Sequence, residues 1–125
     1  MGKSVADAVL DAALSYISSN VTQMSACSTQ PTTYGQATTT GSYMLAIKTG
    51  LTSGNFTGPA DDTSGRKITV NAQSSVSVVS TGDAAHVALC SGAALLYVTT
   101  CTTQTLTNGN TVNFPAWDIN IEDPT

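Results

Sequence analysis

His86 is the one histidine of the chain, and Asp83 stands three residues before it in TGDAAH. A histidine oriented by a carboxylate can take the proton of a hydroxyl or thiol nucleophile, which is the chemistry of a catalytic triad. On a strand reading of AAHVALC, His86 points away from Ala85, Val87 and Leu89, and Asp83 is an ordinary residue of the turn Thr81-Gly82-Asp83. His86 is therefore read as an exposed or interface side chain, and no enzymatic activity is expected. Asp61 and Asp62 in GPADDTSGR offer oxygen ligands for Ca²⁺. Their spacing lacks the calcium-loop pattern, so a solvated turn is the expectation and no metal is assigned. Asp118, Glu122 and Asp123 lie on the polar side of the last strand, where charge discourages unwanted strand pairing. Paired-carboxylate glycosidase chemistry needs a cleft that raises one pKa, and no such cleft is signalled. Gly50, Gly54 and Gly58 lack the strand-to-helix setting of a phosphate loop. No cofactor is expected.

Cys27, Cys90 and Cys101 match no zinc or redox spacing, and three thiols cannot all pair within one chain. Buried free thiols are the first reading. Oxidation of Cys90 with Cys101, or a link between neighbouring subunits, is the second, open to a protein that leaves the cell without a signal peptide. Within the hairpin expected below, Cys90 lies near the turn and Cys101 at the far end of the partner strand, which makes a direct bond between them awkward.

These residues must be positioned by a chain of 125 residues with 10% charged residues, a net charge of −4 and a pI near 4.4. Four Lys and Arg residues, of which only Arg66 and Lys67 are adjacent, cannot build the basic stripe that nucleic acid requires. No apolar run reaches membrane-spanning length, and Asp7 and Asp11 interrupt what would be the apolar core of a signal peptide. The expectation is a soluble single domain made in a cytoplasm, with neither nucleic acid nor membrane as partner.

Residues 4–19 place Val5, Val9, Leu10, Ala13, Leu14 and Ile17 at helical spacing, with Ser4 and Asp7 as a capping-box-like start and Asn20 as a stop. The rest, residues 22–125, alternates in the manner of a β-sandwich. A short strand is expected around Met24 to Cys27, followed by a long loop over residues 28–41. SYMLAIKT then reads as a strand with Tyr43, Leu45 and Ile47 on one side. A second long loop covers residues 50–66. In RKITVNA and SSVSVVS, Ile68, Val70, Val76 and Val78 alternate with polar residues as in half-buried antiparallel strands. AAHVALC and ALLYVTTC form a hairpin about Ser91-Gly92.

The stretch TQTLTNGNTVNFPAW is settled by parity. A two-residue Asn108-Gly109 turn would turn Leu106 away from Val112 and Phe114. A three-residue loop of Thr107, Asn108 and Gly109, with Gly109 left-handed, returns Leu106 to their face. Parity changes again at Pro115, because Trp117, Ile119 and Ile121 are odd positions. A bulge or bend at this residue, which has no N–H for a ladder, would bring both sets to one core. The fold class is thus mainly β: an antiparallel β-sandwich of about six to eight strands with one N-terminal amphipathic α-helix.

The acid-dotted leading helix, the run ACSTQPTTYGQATTT, the tract SGRKITVNAQ and the ending HVALCSGAALLYVTTCTTQTLTNGNTVNFPAWDINIEDP together resemble small structural proteins of tailed bacteriophages. The resemblance covers nearly the whole chain and implies a place in the virion, as a capsid decoration or an accessory part of the neck or tail. It implies other phage virion proteins and copies of the chain itself as partners, hence a homo-oligomer. It carries no active-site residues. The candidate interface residues are Val5, Val9, Tyr16, Tyr34 and Asn55. The alternative class is a carbohydrate- or receptor-binding sandwich of a phage appendage, with Tyr34, Asn55 and Asp61 as loop contacts.

Overall fold

The computed structural model describes residues 4–123. A helix, α1 (Asp7–Asn20), leads into β1 (Gln23–Cys27), a short helix α2 (Tyr34–Thr38) and β2 (Met44–Lys48). There follow β3 (Phe56–Asp61), β4 (Arg66–Val70), β5 (Gln73–Ser77), β6 (Gly82–Cys90), β7 (Leu95–Leu106), β8 (Thr111–Phe114) and β9 (Trp117–Ile121). The strands pair antiparallel in the orders β2-β1-β6-β7, β3-β4-β9 and β5-β8. The fold is mainly β and sandwich-like, with one long helix at the amino-terminal end.

The two smaller sheets are one bent ribbon. Val70 lies opposite Trp117 at the end of the β4–β9 ladder, and Gln73 lies opposite Phe114 at the start of β5–β8, so the register runs through the corner unbroken. Pro115, without an N–H, interrupts the ladder there. The expected bend is present. Val112 and Phe114 before it, and Trp117, Ile119 and Ile121 after it, all pack on one core. The bulge lies elsewhere, between Gln73 and Val76, where Ser75 adopts a φ of 56° and its N–H donates to Asn113 Oδ1 at 2.9 Å.

That core fills the space between the ribbon and the four-stranded sheet. Met24, Ala26, Ala46, Ala84, Leu89 and Leu106 meet Phe56, Ile68, Val70, Val76, Phe114 and Ile119. Burying apolar side chains of this size stabilises by roughly 1.5–3 kcal/mol each. Helix α1 adds Leu14 to the same core and packs chiefly on β4 and β3.

Several expectations are corrected. The capping box at Ser4 does not form, because the helix begins at Asp7 after an extended Ala6 whose side chain caps nothing. Val5 thus precedes the helix instead of joining its apolar face, and of that face only Leu10 and Leu14 are buried. Asn20 does end the helix, but the next residue is extended, not left-handed. The loop over 28–41 contains α2, whose Thr33 side chain accepts from the N–H of Gln36. The loop over 50–66 contains β3, paired with β4 through a register shift that accommodates Gly58 and Pro59. Proline is tolerated there because β3 is an edge strand. Tyr43, Leu45 and Ile47 do not share a side. Ala26 faces Ala46 while Cys27 faces Met44, so a bulge inserts Leu45 into the main core and leaves Tyr43 outside it.

The turn at residues 107–110 has Gly109 at a φ of 92°, and Leu106 does share a core with Val112 and Phe114. It does not close a hairpin. β7 pairs with β6 and β8 with β5, so the turn carries the chain from one layer to the other, held by Gly109 N–H to Val78 O at 3.1 Å. The β6–β7 hairpin at Ser91-Gly92 is present. A shift between Ala84 and His86 places Ala84, rather than Ala85, in the core.

Candidate functional site

The chemically capable residues are positioned by these ladders. His86 lies opposite Cys27 on one side and Thr100 on the other, so it projects from the outer face of the four-stranded sheet. Its Nδ1 is buried and meets no partner among the described residues. Asp83 does not orient it, because Oδ1 of Asp83 accepts from Thr105 Oγ1 at 2.9 Å. Asp61 is drawn into an ion pair with Arg66 at 2.6 Å, and Asp62 Oδ1 accepts from the N–H of Thr63. Asp61 is thus a strand residue and not a loop contact. Among the described residues no group of His, Cys, Asp and Glu is placed to hold a metal ion, and no helix is long and apolar enough to cross a membrane.

The outer face of the same sheet carries a second, smaller core beneath α2. Cys27, Ala37, Ala88 and Cys90 are buried in it, with Tyr34, Tyr43, Leu95 and Val98 packed around them. All three thiols are free. Cys27 lies opposite His86, four residues along β6 from Cys90, or about 13 Å at strand spacing, far beyond the roughly 7 Å limit for a disulfide. Cys90 pairs with Leu95 while Cys101 lies beyond Thr100, so the bond between those two is absent as well. Burial pushes the Cys90 thiol up to about 11. It also raises Cys27, against a contact with Ser25 that lowers it, and Cys101 rises by burial alone.

The interface candidates fall in different places. Val9 and Tyr16 are 60% and 61% exposed on α1, seven residues apart and therefore on one helical face, with exposed Ala12 and Ala13 between them. Val5 is half-buried before the helix. Tyr34 is half-buried against the thiol cluster, and its hydroxyl accepts from Gln23 Nε2 at 3.1 Å. Asn55 is committed to a local cap, its Oδ1 accepting from Thr52 N–H at 2.9 Å. Tyr34 thus belongs to the outer face of one layer, whereas Asn55 precedes β3 and Asp61 ends it in the other. The fold does not gather the three into a common glycan site.

The concave feature was not expected. A cavity of about 330 Å³ lies between β7 and the β8–β9 corner. Ala26, Ala84, Val87 and Leu106 line the sheet side, while Val112, Phe114 and Trp117 line the ribbon side. Thr99, Gln104 and Asn113 add polar atoms. Two irregularities open it. The register moves from Ala84↔Gln104 to His86↔Thr100, leaving Cys101, Thr102 and Thr103 as a bulge in β7, and the ribbon bends at Pro115. Trp117 is steadied by stacking on Tyr97, with ring centroids 5.9 Å apart. One signal for this region was in the sequence: no Asp, Glu, Lys or Arg occurs from Val87 to Trp117.

No protein-family model matches the chain, and neither a curated protein nor a solved structure is detectably similar to it.

Proposed function

We propose that this chain is a non-enzymatic structural protein of a tailed-bacteriophage particle, present in many copies, decorating the capsid or forming an accessory part of the neck or tail. Its partners are other virion proteins and copies of itself, and its place is the virion. The observation that carries this reading is the outer face of α1. That face leaves Val9 and Tyr16 about three-fifths exposed while Leu10 and Leu14 anchor the helix from below. A large apolar pair fixed on a rigid element costs little entropy to dock, and repetition over symmetric sites multiplies a weak contact. The phrase-level resemblance described above supports the particle as the setting.

Quantitative mass spectrometry of purified particles of the phage encoding the chain tests this. The expected result is many copies per particle, and fewer retained when Val9→Lys and Tyr16→Lys are combined. Absence of the chain from washed particles would sink the reading.

A further inference from the structure

We propose that the free edge of β7, together with the cleft beside it, is the surface through which two copies of this chain pair strand to strand. The proposal rests on the reading of the chain as a multi-copy part and names the face that joins the copies.

The first observation concerns edges. β7 is the last strand of its sheet and, at twelve residues, the longest strand described. It pairs only with β6, so the backbone groups on its other side have no strand partner among the described residues. Soluble proteins guard such edges with charge, proline, shortness, bulges or a covering segment. The other edges here are guarded. β3 carries Pro59 and Asp61, and β9 follows Pro115 and carries Asp118. β2 is covered by the segment after β5, with Val79 and Ser80 donating to Leu45 O and Val78 bridging Ala46. β5 and β8 have five and four residues. Among the described residues, β7 has no charged residue, no proline and no covering segment; its one guard in the exposed stretch Thr100 through Thr105 is the bulge at residues 101–103.

The second observation is the cleft. Thr99, Thr100, Cys101, Thr102 and Gln104 of β7 border it, while its far wall is apolar except for Asn113. A strand added to β7 would send alternate side chains toward the ribbon layer, over the cleft. Backbone bonds would then supply affinity and the cleft a seat for side chains, as in recognition by strand addition.

Charge selects this face for the meeting of two acidic copies. The chain carries −4 overall, yet all eight of its acidic residues lie outside Val87–Trp117. Two β7 strands meeting antiparallel about a two-fold axis therefore oppose no like charges, and their five threonines per strand supply β-branched cross-strand pairs.

Sedimentation velocity on the full chain tests the proposal, using wild type, Thr102→Lys with Gln104→Lys, and Thr102→Pro. Thr102 lies in the bulge without a β6 partner, so proline there stiffens the edge and removes one N–H while leaving every β6–β7 pair in place. The wild type is expected as an even-numbered assembly of the 12.7 kDa protomer. Both variants should associate about tenfold or more weakly, with unchanged circular dichroism. A bifunctional maleimide should join two wild-type copies through Cys101, and Cys101→Ser should abolish the product while assembly persists. A wild type that stays at protomer mass, or an assembly indifferent to both variants, overturns the proposal. Either result leaves the particle role standing if the chain is still abundant in purified virions, and absence from virions fails that role alone.

Discussion

Arg66 joins three segments through one planar group. Its Nε donates to Asp11 Oδ1 at 2.8 Å and Nη2 to Asp11 Oδ2 at 3.2 Å, while Nη1 reaches Asp61. These bonds to Asp11 and then Asp61 hold its pKa further above the ordinary arginine value. Arg66→Met should lower the melting temperature and speed hydrogen exchange in α1. Arg66→Lys should restore only part of the loss, because an ammonium cannot make the paired contact with Asp11. The thiols give a second prediction. Cys27 and Cys90 titrate higher in the fold than in the open chain, so their neutral burial stabilises fully below about pH 9. For Cys90 that stability drains as pH rises from there toward about 11, at about 1.4 kcal/mol per pH unit, and Cys27 adds to the loss in the same direction. Urea unfolding across this window should show the fall, and Cys90→Val should flatten it. In the native protein at neutral pH, Cys101 should alkylate first, since it alone is exposed.

At the scale of elements, two glycines separate conformational strain from steric contact. Gly65 closes the β3–β4 connection with a φ of 77°, and a Cβ there would sit 1.9 Å from Ile121 O on β9. Gly109 has a φ of 92° but open space around it. Gly109→Ala should therefore cost about 1–2 kcal/mol, the strain alone. Gly65→Ala should cost clearly more and displace the end of β9, which chemical denaturation and amide exchange at Ile121 will register. The helix was legible from its spacing, and so were β4, β5 and β6 from their alternation. β3 was hidden because Gly58 and Pro59 read as loop, although an edge position with a register shift admits both. α2 was hidden because five residues are too few to show a period.

The whole molecule is organised by a main core between the four-stranded sheet and a ribbon whose register continues past Pro115. Apart from the small thiol-lined cluster beneath α2, neither layer has an apolar core without the other. Trp117, the single tryptophan, sits on the ribbon and stacks on Tyr97 of β7, so its fluorescence reports the docking of the layers. Its unfolding transition should coincide with that of the far-ultraviolet circular dichroism signal. Two separated midpoints would show that the layers melt independently. Phe114→Ala, which empties part of the cleft wall, should cost about 3–5 kcal/mol and shift both signals together.

The amino-acid sequence by itself determined the class of fold, the leading helix, the left-handed Gly109 and the gathering of Leu106, Val112, Phe114 and Trp117 onto one core. All of these follow from period, parity and backbone chemistry within about a dozen neighbouring residues. Only the tertiary structure decided that β8 leaves β7 for β5, that Arg66 reaches back to Asp11, and that Cys27 and Cys90 share a buried face without bonding. The cleft and the uncharged, uncovered edge of β7 belong to the same group. Each depends on which strands become neighbours across long stretches of chain, and alternation along a strand says which side it buries but not against whom.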